Sequence, residues 1–365
     1  RLMTKLIRTF HPVGHGAFYT EKHVLEDQTI NIVYDCGSKT LEKQLPSIIN
    51  NTFKKGEEIE FLFISHFDAD HVNGIEYLKT YCKIKKVVIP LIEDKDAILI
   101  IKAINTSKIG SNKLDTLIDS PEEYFPGSEI IKVKAVNEGY DDDRYFANDL
   151  NNGGTIPSGS EIILHKSSAE NKWCFIPFNY NYTERVNLFK DKIKEKGLIF
   201  NKLNNIDYVQ ISQKTIKSIY KAIKGKANGN SLVVFSGGDY AISATHYFST
   251  DKKIVLEYDR CSYISCIYLG DSFANKSDFY SQLKGRLDKL TESIGIIQIA
   301  HHGAKGNFSP NILKLGTNPL AIISCKSTDK HHPSVNVVKQ IQENGSIPFI
   351  VTEKPTTEVE QIGYY

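Results

Sequence analysis

The sequence predicts a layered α/β fold. Short apolar segments typical of buried strands alternate with segments of helical spacing in two stretches, residues 4–90 and 231–352. Alternation of this kind is typical of strands and helices packed in layers. Several of the apolar segments end in aspartate or histidine, and functional side chains of α/β proteins gather at the carboxyl ends of strands. The same pattern therefore predicts both the fold class and the position of a site.

Length, composition and charge describe an ordinary globular protein. Of the 365 residues, 41% are hydrophobic and 24% are charged, and the formal net charge is +2. A charge this small gives no bulk electrostatic argument for binding nucleic acid. The six cysteines form no C-x-x-C pair, so we expect reduced, buried thiols and a cytoplasmic location. No apolar run approaches the ~18 residues of a transmembrane helix, so we expect no membrane segment.

The first ninety residues predict the order β-β-β-α-β-α-β. Residues 4–27 contain two strand-like runs on either side of the turn Val13-Gly14-His15-Gly16. The following predicted elements are strand Ile30–Tyr34, helix Leu41–Asn50, strand Phe61–Ile64, helix Ile75–Tyr81 and strand Lys86–Pro90. Their alternation favours strands stacked into a sheet that helices cover.

From about residue 91 to 230 the pattern loosens, and we predict a large mixed α/β insertion within one domain spanning 1–365. Its predicted elements are helices at 94–104 and 113–118 and strands at 130–136, 161–165 and 173–178. Residues 185–226 carry eleven Lys/Arg against three acidic residues, with apolar positions on one helical face. This block is either a surface for a polyanion or a solvated amphipathic helix. The insertion could also cover a cleft or dock a protein partner.

Regular alternation returns at Ser231 and continues nearly to the end of the chain. The predicted elements are strand Leu232–Phe235, strand Cys266–Leu269, helix Phe279–Leu290, strand Ile294–Ile299, strand Leu320–Ser324, helix Val335–Gln342 and strand Pro348–Thr352. We find no repeat of fixed short period and no low-complexity tract. The chain is therefore expected to form one continuous core.

The stretch Phe61–Gly74, FLFISHFDADHVNG, is the most informative part of the sequence. Its four leading apolar residues predict a buried strand, and six residues then hold His66, Asp68, Asp70 and His71. Burying these groups unpaired would cost several kcal/mol, and a metal ion is the usual compensation. Imidazole and carboxylate ligands together suit zinc, manganese or iron. The alternative is a polar loop in which the histidines and aspartates pair with one another.

Other strand ends supply further candidates. Asp271 follows an apolar strand, where its carboxylate could bridge two metal ions or cap the next helix. His301 and His302 follow another strand, and adjacent strand side chains point to opposite faces, so we expect one of them to ligate. The sequence does not distinguish which one. Asp35 is expected to support the site by tightening the turn or by orienting a ligand.

The loop resembles the H-x-H-x-D-H signature of the metallo-β-lactamase superfamily, here H-x-D-x-D-H with Asp68 at the second histidine. Over nearly the whole chain, the order of motifs is similar to that in the soluble hydrolase domain of ComEC-type DNA-uptake proteins. The matching elements are Val13-Gly14-His15-Gly16, Tyr34-Asp35-Cys36-Gly37, His66–His71, Asn230-Ser231-Leu232-Val233-Val234, Gly270-Asp271, His301-His302-Gly303 and His332-Pro333.

This resemblance implies a four-layer αββα metallo-β-lactamase sandwich and one or two divalent metal ions, zinc or manganese. The residues it implies as metal ligands are His66, Asp68, Asp70, His71, Asp271 and His301 or His302. It further implies that Asp70 orients the attacking water and that His332, a late histidine, contacts a scissile phosphate or assists the leaving group. The implied activity is a phosphodiesterase or nuclease acting on a nucleic acid or nucleotide.

Departures from the family pattern keep other functions open. His15 stands where a glutamine is usual, Asp68 replaces a histidine, and only His165 and His246 are available for an additional histidine ligand. An oxygen-rich site favours manganese or magnesium over zinc. The fold also serves small-molecule ester and lactone hydrolases, and a degenerate metal site would leave a binding or regulatory module.

Overall fold

A computed structural model describes residues 4–105, 111–136, 144–146, 150, 154–166, 172–180, 184–223, 231–238, 244–248, 254–256 and 263–365. Asn230 of one predicted motif lies outside these residues, and so do the side chains of His165 and His246. No helix in the described part of the chain is long and apolar enough to cross a membrane.

Eighteen strands are described. In chain order they are β1 (Lys5–Phe10), β2 (Gly16–Val24), β3 (Thr29–Ser38), β4 (Glu58–Phe63), β5 (Lys83–Pro90), β6 (Glu129–Val133), β7 (Arg144–Phe146), β8 (Gly154–Ile156), β9 (Glu161–Lys166), β10 (Lys172–Tyr180), β11 (Ser231–Gly237), β12 (Ala244–Phe248), β13 (Ile254–Leu256), β14 (Ser265–Tyr268), β15 (Ile294–Gln298), β16 (Leu320–Ser324), β17 (Ile347–Val351) and β18 (Val359–Tyr364).

Ten α-helices accompany them in the described residues. They are α1 (Leu45–Thr52), α2 (Ala69–Val72), α3 (Ile75–Tyr81), α4 (Lys95–Asn105), α5 (Ser111–Asp119), α6 (Pro121–Tyr124), α7 (Glu184–Glu195), α8 (Ile206–Ala222), α9 (Phe279–Leu287) and α10 (Val335–Glu343).

The strands form two facing sheets with helices on their outer sides, which confirms the predicted four-layer α/β fold. The first sheet has the order β13-β12-β18-β1-β2-β3-β4-β5-β6-β8, and the second has the order β17-β16-β15-β14-β11-β10-β9-β7. One apolar cluster fills the space between the sheets. A second cluster lies between the first sheet and its outer helices, and a third lies between the second sheet and its outer helices. Burying a helix face against each sheet is what produces the outer layers.

Strands from the range 91–230 pair within both sheets. β6 and β8 extend the first sheet, while β7, β9 and β10 belong to the second. The helices of this range behave differently, because α4, α7 and α8 share an apolar cluster of their own. This helical cluster is the part of the range that lies outside the two-sheet framework.

The predicted and observed elements differ where a local feature overrides periodicity. Helix α1 begins at Leu45 rather than Leu41, because Pro46 occupies its first turn, where proline is favoured. Helix α9 ends at Leu287, and Asp288 takes a positive φ of 43° before a 3-10 segment. Strand β18 was not predicted, because its core-facing Gln361 is a buried polar residue in an otherwise alternating segment.

Gln361 belongs to a buried polar network around Arg8, between the two sheets. The Arg8 guanidinium donates to Glu21 Oε1 (2.8 Å) and also bonds the Gln361 side chain. Tyr268 Oη donates to Glu21 Oε1 (2.6 Å), and Ser236 Oγ donates to Glu21 Oε2 (2.8 Å). Burial alone would raise the pKa of Glu21, but Arg8 and the hydrogen bonds lower it to about 2. The carboxylate is therefore ionised in the core, where Arg8 compensates its charge.

Replacing Glu21 with glutamine is expected to destabilise the fold by about 3–5 kcal/mol at pH 7, because it leaves the buried Arg8 uncompensated. The folded-state pKa of Glu21 lies below its ordinary 4.5, so its stabilising effect is full above that pH and is lost as pH falls toward 2. Urea unfolding of the wild type and of Glu21→Gln at pH 7 and pH 3 measures the difference in their free energy of unfolding. The wild-type advantage over the variant should shrink at pH 3.

Glu58→Gln is the matched control for this prediction. Glu58 pairs with Lys83 on the surface, where its side chain is 53% exposed. Exposed pairs contribute little to stability, so this variant should unfold like the wild type at both pH values. An equal loss of stability in the two variants would contradict the role given to the buried network.

Candidate metal centre

The ends of five strands bring the predicted site residues to one edge of the two sheets. Asp35 lies near the end of β3, and the loop after β4 carries His66, Asp68, Asp70 and His71. The loops after three neighbouring parallel strands of the second sheet, β14, β15 and β16, carry the remaining residues. Those residues are Asp271, His301, His302 and His332. Parallel strands place their carboxyl ends together, which explains this convergence.

His66, His71 and Asp271 form the most buried group. His66 Nε2 lies 3.6 Å from Asp271 Oδ2, and His71 Nε2 lies 3.4 Å from Asp271 Oδ1. All three side chains are at most 6% exposed. Two imidazoles and a carboxylate at these separations can hold one divalent ion.

Each candidate imidazole is oriented through its other nitrogen. His71 Nδ1 bonds Asp35 Oδ2 (2.7 Å), His66 Nδ1 bonds Ser65 Oγ (2.9 Å) and His302 Nδ1 bonds the Ser324 carbonyl (2.8 Å). The three Nε2 atoms are buried and make no hydrogen bond with any residue that the structure describes. Buried polar atoms are nearly always satisfied, so three such nitrogens at one place fit a metal ion as the missing partner.

Asp35 holds this arrangement together from behind. Its two carboxylate oxygens accept hydrogen bonds from the Ser65 amide (2.7 Å) and the Ser65 hydroxyl (2.6 Å), besides contacting His71. Gly37 follows on the same strand and allows the metal loop to approach, because a Cβ there would lie 2.5 Å from the Asp70 carbonyl carbon. The D-C-G sequence therefore orients one histidine and admits the loop that carries Asp70.

Asp70 is the centre of a second group. Its Oδ2 accepts a hydrogen bond from Lys39 Nζ (2.7 Å) and lies 3.4 Å from His302 Nε2 and 3.6 Å from His15 Nε2. Its Oδ1 is buried without a hydrogen-bond partner among the described residues. His15, Asp70 and His302 could hold a second ion, with Lys39 as an adjacent positive charge. No sequence pattern marked Lys39, and His15 stood out only as a departure from the family pattern.

The two adjacent histidines occupy different positions. His302 joins the Asp70 group, whereas His301 lines a neighbouring cavity and belongs to neither group of buried candidate ligands. Both residues sit in a 3-10 turn, with φ values of 50° and 55°, rather than on the strand. Asp35 also has a positive φ, 55°. Such conformations cost about 1–3 kcal/mol each and concentrate at functional sites.

Asp68 lies at the margin of the site. Its Oδ2 is 4.0 Å from His66 Nε2, and its side chain is 18% exposed. Tyr220 of α8 donates a hydrogen bond to the same oxygen (3.2 Å). The structure therefore does not bring Asp68 into the His66, His71 and Asp271 group, and it places the helical cluster of the range 91–230 beside the metal loop.

His332 belongs to a third group at the outer side of the site. Its Nδ1 bonds Asp329 Oδ2 (3.2 Å), and His15 Nδ1 lies 3.6 Å from the same oxygen. Backbone amides of His331 and His332 also donate to Asp329. These bonds and the contact with His332 outweigh burial and lower the pKa of Asp329 to about 2. The sequence signal for Asp329 was its position three residues before a predicted functional histidine.

Charges within the site are strongly coupled. Burial alone would raise the pKa values of Asp70 and Asp271. Lys39, His302 and His71 hold the pKa of Asp70 well below the ordinary value, and His301, His71 and His66 do the same for Asp271. Burial would lower the pKa of His71, but Asp271 and Asp35 hold it well above the ordinary value. Burial lowers the pKa of His301 to about 4. The site therefore concentrates negative charge around imidazoles, an environment that attracts a divalent cation.

A family model matches one region of the chain, and several solved structures are similar to it over most of its length. A search of the curated proteins gives no match. Among solved structures, human tRNase Z, short form, is 10% identical over 94% of this chain and 92% of that chain, with a TM-score of 0.38. The metallo-beta-lactamase fold protein YhfI from Bacillus subtilis is 9% identical over 98% and 99% of the two chains (TM-score 0.36). Unliganded yeast PDE1 is 12% identical over 100% of both (TM-score 0.37).

Residues 23–96 match the family model described as the metallo-beta-lactamase superfamily. This segment contains β3, β4, the loop with His66 and His71, and the helix that follows it. Together with the two facing sheets and their outer helices, the match shows that the chain has the metallo-β-lactamase fold.

Proposed function

We propose that this protein is a metal-dependent hydrolase that cleaves phosphodiester bonds. The observation that carries the proposal is the set of three buried Nε2 atoms, on His66, His71 and His302, that face Asp271 and Asp70 without a hydrogen bond. Each imidazole is already held through its other nitrogen, as in metal sites of known proteins. The nitrogen and oxygen donors suit zinc or manganese.

A bound divalent ion would lower the pKa of a water molecule enough to supply hydroxide near neutral pH. The chain contributes the orientation of that water. Lys39 donates a hydrogen bond to Asp70 Oδ2 and so fixes the plane of the carboxylate. The direction of the buried Oδ1 is fixed with it. We assign to Asp70 Oδ1 the role of accepting a hydrogen bond from the attacking water, in addition to binding metal.

His332 is assigned to the leaving group. Asp329 binds its Nδ1 and fixes the ring, whose centroid lies 6.3 Å from that of His302. As the water oxygen bonds to phosphorus, the opposite P–O ester bond breaks, and the departing oxygen takes a proton from His332. Proton donation of this kind typically contributes about 10²–10⁴ in rate.

Two features favour a phosphodiester over a small carbonyl substrate. Among the described residues, no acidic side chain lines the cavity beside the site, which suits an anionic substrate. The order of motifs also resembles that of ComEC-type DNA-uptake proteins. Esters and lactones are neutral, so an acid-free cavity would give them no comparable advantage.

The test combines metal content with hydrolysis. We expect the purified protein, loaded with zinc or manganese, to hydrolyse bis(p-nitrophenyl) phosphate, and Asp70→Asn to lower turnover by about 10²–10⁴. Mass spectrometry measures metal content, and p-nitrophenyl acetate tests the carbonyl alternative. Asp278→Asn, an exposed aspartate bonded to Gln282, is the control and should match the wild type. Ester turnover without phosphodiester turnover, or no bound metal after loading, would overturn the proposal.

A further inference from the structure

A cavity of about 350 Å³ opens beside the candidate metal centre. Two chain segments form it, the turn after β15 and the loop after β16. Its lining residues are His301, Ala304, Lys305, Gly306, Asn307, His331, His332 and Ser334. A volume of this size accommodates a group comparable to one nucleotide unit, at the lower end of ligand pockets of roughly 300–1,000 Å³.

The cavity wall is physically continuous with the metal centre. Asn307 Nδ2 donates hydrogen bonds to the carbonyls of Asp271 and Ser272, both at 3.1 Å. His301 immediately precedes His302, and the His302 ring lies 6.3 Å from the His332 ring, centroid to centroid. A molecule whose scissile bond lay at the metal centre would therefore place its neighbouring group in this cavity.

The lining contains one lysine and three histidines, and none of its described residues is acidic. Lys305 is exposed and makes no ion pair with any carboxylate of the described residues. His331 is also exposed, and its backbone amide is bonded to Asp329. Asp329 stands behind this wall, but two backbone amides and His332 Nδ1 already satisfy its carboxylate. The cavity therefore presents the positive charge of Lys305 next to the candidate metal centre.

One wall carries a buried nitrogen that has no hydrogen-bond partner. His301 Nδ1 is buried and makes no hydrogen bond in the described part of the chain. The His301 ring is nearly parallel to that of His332, with 4° between the planes and 6.2 Å between centroids. A ligand with several acceptor oxygens would accept a hydrogen bond from the His301 ring and pair with Lys305.

We propose that this cavity binds a second, non-scissile phosphate group of the substrate, with Lys305 as its counter-charge and His301 and His331 as hydrogen-bond donors. This inference rests on the proposed phosphodiesterase activity and narrows its substrate to molecules with at least two phosphates, such as an oligonucleotide. A monophosphate diester would occupy the metal centre alone and would gain nothing from Lys305.

The experiment measures binding separately from hydrolysis. The probe is a thymidine dinucleotide whose linkage is a methylphosphonate, phosphorylated at both ends, and the reference is the same dinucleotide without terminal phosphates. Calorimetry with the metal-loaded protein gives both dissociation constants. We expect the wild type to bind the phosphorylated probe about tenfold or more tightly than the reference, the range of a charge-assisted hydrogen bond.

Substitutions of Lys305 test whether the cavity is the cause of the tighter binding of the phosphorylated probe. Lys305→Ala should lose most of the difference between the two probes, and Lys305→Arg should retain it. Lys289→Ala, an exposed lysine that does not line the cavity, should behave as the wild type. Equal binding of both probes by the wild type, or a full preference in Lys305→Ala, would overturn the inference. Because binding is read without turnover, a protein that binds as expected but hydrolyses nothing would count against the proposed activity alone.

Discussion

Asp271→Asn is expected to abolish hydrolysis, with a loss of roughly 10³–10⁴ in turnover, and to release most of the bound metal. Asp271 contacts both His66 Nε2 and His71 Nε2 through its carboxylate. Asparagine preserves the shape of the side chain but removes its negative charge and one acceptor oxygen. Two imidazoles and a neutral amide oxygen would then remain, which is a much weaker ligand set for a divalent ion.

The Asp271 backbone explains why this variant should still fold. Its backbone amide donates a hydrogen bond to Ser231 Oγ (3.0 Å), and the asparagine variant retains this bond. Metal content by mass spectrometry and turnover of bis(p-nitrophenyl) phosphate measure the prediction, with circular dichroism to verify the fold. Asp278→Asn, nearby in the sequence, is the control. Full metal content in Asp271→Asn would contradict the assignment of His66, His71 and Asp271 as one ligand group.

The sequence predicted the positions of the site residues because strand ends are encoded locally. Apolar runs before Asp35, His66, Asp271 and His301 marked buried strands, and parallel strands necessarily deliver their last residues to one edge. The layered fold follows from the same alternation. These features depend on neighbours within a few residues, so periodicity is sufficient to identify them.

The partners of those residues depend on contacts that no local pattern records. Lys39 and Asp70 are 31 positions apart, yet their side chains form a 2.7 Å hydrogen bond. His15 lies between Asp70 and Asp329, which come from different sheets. Tyr220 reaches Asp68 from the helical cluster of the range 91–230, across 152 positions. Only the packing of the two sheets and the added helices brings these groups together.

Lys39 makes the two halves of the site unequal. The His66, His71 and Asp271 group contains no lysine, whereas the Asp70 carboxylate already carries an ammonium group at hydrogen-bond distance. A second cation at Asp70 would be repelled by Lys39, and the repulsion between like charges rises steeply at short distance in a buried site. We therefore expect the first group to bind its ion more tightly than the second.

His302→Ala is expected to weaken metal binding at the Asp70 group by roughly 100-fold, whereas His301→Ala should leave metal binding unchanged. His302 Nδ1 is fixed by the Ser324 carbonyl, and its Nε2 lies 3.4 Å from Asp70 Oδ2. His301 instead lines the cavity, so its removal should weaken binding of the phosphorylated dinucleotide probe. Metal titration of the two variants is the measurement.

This pair of variants separates two residues that are adjacent in sequence and identical in chemistry. The expected pattern is reciprocal, because metal affinity should depend on His302 and probe affinity at saturating metal should depend on His301. If His301→Ala lost the metal and His302→Ala retained it, the two assignments would have to be exchanged, and the cavity would lose one of its donors. The hydrogen bond to Ser324 is what predicts the first pattern, because only a ring held through Nδ1 presents a fixed Nε2 to Asp70.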